Sequence, residues 1–225
     1  MMTKHDIDHD NLVSVRKEII SIARRCFSLK LQTNSGGNLS ARLSCRDAIV
    51  IKPSGLGYFE CSQDNLMVCD LEGQVIEGRG KPSKDLGFHC GIYQERADVN
   101  AIVHVHSPWA IGYSHLNLPF QCATVQSVGK LGSLVPCIDL APGGKPQGEA
   151  EVRPVFANNQ LKAALLRAHG TIGVGKDLIS AQYIVELLEE SCHAAFAASW
   201  FHNLPKLMSE TQGHTEIRDC FPRLG

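Results

Sequence analysis

Residues 101–110 read AIVHVHSPWA. The β-branched Ile102, Val103 and Val105 predict a buried strand over AIVHVH. Residues two apart on a strand point to the same side, so His104 and His106 can aim both rings at one point. Ser107 and Pro108 then open a helix, because proline is tolerated in a first helical turn.

Toward the C-terminus, LGSLVPCIDL (131–140) holds another strand. A Gly/Pro-rich loop follows, and EAEVRPVFANNQ (149–160) is helical on either side of Pro154. ALLRAHG and TIGVG (164–175) are two short strands bracketing His169. A long helix from Asp177 to about His202 closes the core, with Leu178, Ala181, Val185, Leu188, Cys192, Ala195 and Ser199 as its inner stripe. That stripe reads as packing.

Toward the N-terminus, the first element is a helix over Asn11 to Leu31, with Val15, Ile19, Ile22 and Phe27 near one face. It ends in TNSGGN, a loop that permits unusual backbone angles. LSARL and AIVIK follow as strands, joined by the polar turn Cys45 to Asp47. After PSGLG come LMVCDL, a turn at Glu72 and Gly73, and the strand QVIEG. PSKD begins a helix that runs to about Arg96, with Ser83 as N-cap. Strands mixed with helices over residues 1–225 point to one α/β domain with a largely antiparallel sheet, its core at about 10–203 and a tail at 204–225.

Composition narrows the function. The chain has 225 residues, 44% hydrophobic and 20% charged, with a formal net charge of −1. That balance belongs to an ordinary globular protein and gives no footprint for nucleic acid or an anionic membrane. The N-terminus MMTKHDIDHD lacks the apolar core of an export signal, so the expected location is cytoplasmic. The 9 cysteines include no CxxC pair and read as buried reduced thiols.

Two histidines make a weak metal site, and HxH can equally line a half-buried face. His169 changes the balance, since it sits at the end of an apolar strand beside Gly170. Three neutral imidazoles form the ligand set of a catalytic zinc with an open position. The other 7 of the 10 histidines, His89 and His193 among them, read as surface or core groups. Asp85 lies at a helix start, where the macrodipole favours an acid. It either stabilises that start or serves as a carboxylate beside the metal. Three short loops could present backbone N–H groups to an anion: Gly36 to Asn38, Pro53 to Gly55 and Pro82 to Lys84.

In this order, GGNLSARL, IKPSGLGY, EGRGKPSKDLGFH, AIVHVHSPWA and LLRAHGTIGVGKDLISA resemble the class II aldolase/adducin family, over about residues 10 to 200. The resemblance implies a three-layer α/β/α sandwich around a mixed nine-stranded sheet, and a homotetramer with sites at subunit interfaces. It matches His104, His106 and His169 to the family's metal ligands, implying one divalent ion per chain: Zn²⁺ first, Mn²⁺ or Co²⁺ as alternatives. Asp85 matches a catalytic acidic position that is Glu in fuculose-phosphate aldolases and Asp in the pentulose-phosphate epimerases. The phosphate site maps to Gly37, Asn38, Ser54, Gly55, Ser83 and Lys84.

Three departures stand out. Lys84 replaces the second Ser of the usual PSS loop, and the family's decarboxylases resemble this sequence in having PSK. SVGKLGSLVPC also resembles that branch, and the aldolase's catalytic Tyr has no counterpart before it. The 4 tyrosines are Tyr58, Tyr93, Tyr113 and Tyr183, so the tail Tyr of the epimerases is missing. The chemistry implied is stabilisation of an enediolate by a metal that polarises a carbonyl and a neighbouring hydroxyl. The first expectation is an aldolase-type carbon–carbon lyase on a small phosphorylated sugar or sugar acid. A decarboxylase of a phosphorylated oxo-acid comes next, then a pentulose-phosphate 4-epimerase. A non-catalytic scaffold like the adducin head domain is the alternative of another class.

Overall fold

The computed structural model describes residues 7–140 and 149–211. The Gly/Pro-rich loop after residue 140 and the tail after residue 211 lie outside the described residues. The element order is α1 (His9–Ser28), β1 (Asn38–Arg42), β2 (Ala48–Ile51), β3 (Met67–Asp70), β4 (Val75–Glu77), α2 (Leu86–Glu95), β5 (Ala101–Val105) and α3 (Pro108–Ser114). Then come β6 (Phe120–Gln121), α4 (Val125–Leu131), β7 (Leu134–Val135), β8 (Cys137–Ile138), α5 (Glu149–Phe156), β9 (Ala163–Leu166), β10 (Gly170–Gly175) and α6 (Leu178–Thr211). Eight strands form the main sheet in the order β4-β3-β2-β1-β5-β10-β9-β8, and β6 pairs with β7 apart from it. Among the described residues only β8 and β9 run parallel. The expected mixed, largely antiparallel sheet is present, with eight strands in place of nine among the described residues.

Strand alternation builds the layers. Ala101, Val103 and Val105 of β5 pack into one apolar cluster with residues of α1 and α6. Ile102 faces the opposite cluster, with Phe88 and Ile92 of α2 and Val152 and Phe156 of α5. β2 divides the same way, Val50 toward α1 and Ile49 and Ile51 toward α2. Each fully buried Ile or Leu in these clusters contributes about 1.5–3 kcal/mol by leaving water. A third cluster joins Ala110 of α3, Leu131 of α4, Leu165 of β9 and Leu188 of α6.

Several expectations need correction. In α1, Cys26 takes the buried position and Phe27 is exposed, its ring 5.2 Å from that of Phe59. The segment 131–140 is not one strand: Pro136 divides β7 from β8, which belong to different sheets. Proline has no N–H for a ladder, but its carbonyl still accepts from Leu165 N at 2.8 Å. Helix α5 runs through Pro154 without a break. Helix α4 was not expected; its signal is the Thr124 and Ser127 capping box. Helix α6 extends nine residues past the expected His202, so the boundary drawn at 203 and 204 falls inside a helix. Its stripe is buried only as far as Cys192, and Ala195 and Ser199 are exposed, because the helix has by then run beyond the sheet.

None of the described cysteines is paired, and Cys26, Cys61, Cys69, Cys90, Cys122 and Cys192 are buried. Burial pushes the thiols of Cys26 and Cys69 up to about 12. Among the described residues, no helix is long and apolar enough to cross a membrane.

Candidate metal centre

The site lies where β1 begins, β5 ends and β10 begins. His104 pairs across the ladders with Asn38 on one side and Ile172 on the other. His106 follows one residue beyond β5 on the same face, and its backbone N–H donates to Gln32 Oε1 at 2.8 Å. His169 sits in the turn between β9 and β10, after Ala168, whose φ is +52°. Two glycines let the backbones close around these rings. Gly170 has Val105 O and the His104 and His106 rings within 3.1 Å of where a Cβ would stand. Gly37 has φ +58° and a Cβ there would meet Gln32 Oε1 and His104 O.

The three rings converge. Their centroids are 4.7–5.0 Å apart, and one ring nitrogen from each lies within 4.8 Å of the others. His104 Nδ1 donates to Thr171 O at 2.9 Å, since a carbonyl can only accept. That fixes the tautomer and leaves Nε2 with a bare lone pair, 3.2 Å from His106 Nε2. Nitrogens held tetrahedrally at about 2.0–2.1 Å from one Zn²⁺ stand about 3.3–3.4 Å from each other. His169 Nδ1 is buried with no hydrogen-bond partner among the described residues, an orphan that a cation would satisfy. Burial holds His104 well below the ordinary histidine value, lowers His106 to about 4, and lowers His169. All three are therefore neutral at pH 7 and have lone pairs to give. This donor set fits a divalent metal.

Asp85 stands beside the cluster, its Oδ2 3.8 Å from His104 Nε2. It is the N-cap residue of α2, yet its side chain makes no capping bond. The expected cap, Ser83, lies two residues too early; its Oγ accepts from Asp85 N at 3.2 Å. Side-chain capping therefore does not account for the Asp85 carboxylate, whose Oδ2 accepts from Asn38 Nδ2 at 2.6 Å.

A cleft of about 330 Å³ opens over these groups, lined by Gly37, Asn38, Ser54, Gly55, Ser83, Lys84, Asp85, His106 and His169. Of the ten residues singled out from sequence, only His104 lies below its surface, fully buried. Ser54 N donates to Lys81 O at 3.0 Å and ties two of the Gly/Ser loops together.

Sequence reading missed Lys52 and the partners of His89. Lys52 is buried in the cleft wall and donates to Pro53 O at 3.2 Å and to Leu56 O, holding the loop from below. A lysine directly after the apolar run AIVI was the available signal. His89 was expected to be a surface or core group, and it is a core group, fully buried between Asn38 and Ser40. Burial lowers it to about 3, so it stays neutral.

A larger cavity, about 700 Å³, lies at the opposite end of the β5–β10 pair, between Val99, Gly175, Lys130 and Leu187. Among the described residues, no histidine or cysteine lines it. Donor chemistry, not size, therefore selects the smaller cleft.

Comparison with known proteins gives the family. Residues 17–196 match the model for the class II aldolase and adducin N-terminal domain. The chain is 30% identical over 203 residues to a 5-deoxy-D-ribulose 1-phosphate aldolase of Bacillus thuringiensis serovar kurstaki, covering 88% of this chain and 91% of that one. It is similar to a solved L-fuculose 1-phosphate aldolase, with a TM-score of 0.77, 28% identity, and 88% and 90% of the two chains covered. It is also similar to the structure of YgbL from Klebsiella pneumoniae, described with three candidate activities, aldolase, epimerase and decarboxylase. There the TM-score is 0.74 and the identity 29%, with 88% and 91% covered. The chain belongs to the class II aldolase and adducin family.

Proposed function

We propose that this protein is a divalent-metal-dependent carbon–carbon lyase of the aldolase type, acting on a small phosphorylated sugar or sugar acid. The observation that carries the reading is the convergence of His104, His106 and His169 beside Asp85 at the floor of one cleft. The histidines would hold Zn²⁺, or Mn²⁺ or Co²⁺ in its place. When bound, such an ion polarises a carbonyl and the hydroxyl next to it. Asp85 takes and returns a proton at Oδ2, on the side of the cluster that faces the cleft. Ser54, Ser83 and Lys84, with the backbone at Gly37 and Gly55, receive the phosphate group within the same cleft.

Support for a phosphorylated sugar comes from the relatives, whose names specify sugar-phosphate aldolases. The test is a panel of ketose 1-phosphates and phosphorylated oxo-acids given to the metal-loaded protein, read for triose product and for released CO₂. Triose from a ketose phosphate is expected. A protein that carries metal and turns over no member of the panel sinks the reading.

One observation favours a second reading, decarboxylation of a phosphorylated oxo-acid. Lys84 is exposed at the cleft, where a full positive charge suits a second acidic group on the substrate. CO₂ without triose in the same panel selects it. We propose further that the protein is a cytoplasmic homotetramer, by analogy with the family, and light scattering that reports a monomer at micromolar concentration would overturn this.

A further inference from the structure

Asn38 belongs to the loop expected to receive phosphate, yet most of its side-chain amide is already committed. Nδ2 donates to Asp85 Oδ2 at 2.6 Å and Oδ1 meets His89 Nε2. A carboxylate carries no proton to give, so the Asn38 atom facing Asp85 is the amide NH₂. The atom facing His89 is then the carbonyl oxygen, and His89 must donate to it from Nε2–H. His89 Nδ1 is consequently an acceptor, 2.7 Å from Ser40 Oγ, which supplies its hydroxyl hydrogen. Tyr93 OH closes the chain behind Ser40, 2.9 Å from Oγ and 3.1 Å from Ser40 O. From Ser40 to His89 to Asn38 to Asp85, every donor points the same way. Ser40, His89 and Tyr93 are buried, so water does not compete for these bonds.

We propose that His89 is a positioning residue: through Asn38 it fixes the carboxylate of Asp85 against the histidine cluster. The inference rests on the role given to Asp85 above. It assigns Asn38 to the carboxylate first, with one remaining amide hydrogen for the substrate. The shape of His89 matters because only a neutral ring with a donor on one edge and an acceptor on the other can stand between Ser40 and Asn38. Without it, Asn38 is free to turn its amide, and the opposite orientation sets an oxygen against the Asp85 oxygens.

The test uses the full-length Zn²⁺-loaded protein and two kinds of reading. Long-range ¹H–¹⁵N NMR of the wild type is expected to show His89 as the Nε2–H tautomer. An Nδ1–H tautomer would overturn the proposal, since it turns a lone pair toward Asn38 Oδ1. The second reading is solvent-deuterium exchange into dihydroxyacetone phosphate, with Zn²⁺ affinity measured by chelator competition. His89→Phe is expected to slow exchange about tenfold or more and to leave Zn²⁺ affinity within about threefold, because the ligands are untouched. It should slow exchange no further in an Asp85→Asn background, since both changes remove one function. His89→Gln has a donor and an acceptor at its tip and is expected to restore most of the rate. Independent, multiplying losses from the two changes, or a His89→Phe protein with normal exchange, would overturn the proposal. A wild type that exchanges nothing defeats the reading of Asp85 as a proton-handling group and this positioning role with it. The tautomer of His89 separates the two failures, because it reports the hydrogen-bond chain without any turnover.

Discussion

His104 Nδ1 donates to the carbonyl oxygen of Thr171 across the β5–β10 pair, at 2.9 Å. A backbone carbonyl of the neighbouring strand thus sets which ring nitrogen looks into the cluster, and the ring cannot turn without breaking a bond inside the sheet. Purified protein is expected to carry close to one divalent ion per chain by elemental analysis, and His104→Ala to lose most of it. Two ligands leave poor geometry, and loss of a ligand or its orienting partner commonly costs about 10- to 100-fold or more in affinity. Folded wild-type protein that neither contains nor takes up Zn²⁺, Mn²⁺ or Co²⁺ would end the metal assignment.

Asp85→Asn separates chemistry from packing. The carboxylate makes no capping bond, so thermal stability should change by no more than about 1 kcal/mol. Turnover on the substrate identified by the panel should fall about 10²–10⁴-fold, the usual share of a general acid or base, with metal content unchanged. Near-native turnover would remove Asp85 from the mechanism.

The buried histidines make stability depend on pH. His89 is lowered to about 3 and His106 to about 4, with His104 and His169 also lowered. The unfolded chain takes up protons on these groups near pH 6.5, while the folded protein does not. Their contribution is complete above about pH 6.5 and is lost as pH falls below it, for His89 and His106 by about 1 kcal/mol per pH unit until their folded values are reached, with His104 and His169 acting in the same direction. Urea midpoints of chelator-treated protein should therefore drop between pH 6.5 and 4.5. His89→Gln should show a shallower drop by one histidine's share. A flat profile over that range contradicts the burial argument.

Much of the layering was legible in the sequence, because β2 and β5 alternate strictly and bury one residue set on each face, and β10 turns Ile172 and Val174 toward one of them. The pairing of His104 and His106 was legible for the same reason, and His169 was marked by the Gly170 that follows it. What was not legible depends on contacts between distant segments. That Asn38 lies directly across from His104 follows from β1 pairing with β5 instead of stopping at its hairpin partner β2. The chain through Ser40 and His89 is a consequence of that register. Pro136 could be seen in the sequence, but whether the strand bends or changes sheet is settled by Leu165, which takes its carbonyl. Helix α6 outruns its apolar stripe, so the stripe predicted the buried part and missed the end.

Lys84→Ser tests the extra charge at the cleft. An exposed ion pair contributes about 0.2–1 kcal/mol, so inorganic phosphate should bind about 1.4- to fivefold more weakly in a ³¹P titration of the metal-loaded protein. Lys81→Ser, a neighbouring exposed lysine outside the cleft lining, is the control and should change little. Equal loss from both would mean that only the general field is involved.

Ala168 holds a left-handed backbone, φ +52°, in the turn that presents His169. That conformation costs an L-residue about 1–2 kcal/mol, part of which glycine gives back through its more flexible unfolded chain. Ala168→Gly is expected to raise stability by up to about 1 kcal/mol in urea denaturation. A loss of stability would show that the alanine is unstrained there.

The order of strands in the main sheet has a consequence for how the protein reaches its folded state. His104 and the Thr171 carbonyl that orients it are 67 residues apart in the chain, and they meet only when β5 closes against β10. Contacts between such distant segments form late, because a long loop must be closed before any contact rewards it. An ion added to the denatured chain would find His104 and His106 close together but no third partner. Its grip would come after the main folding barrier, so it should slow unfolding far more than it speeds folding, and lengthen the lifetime of the native state.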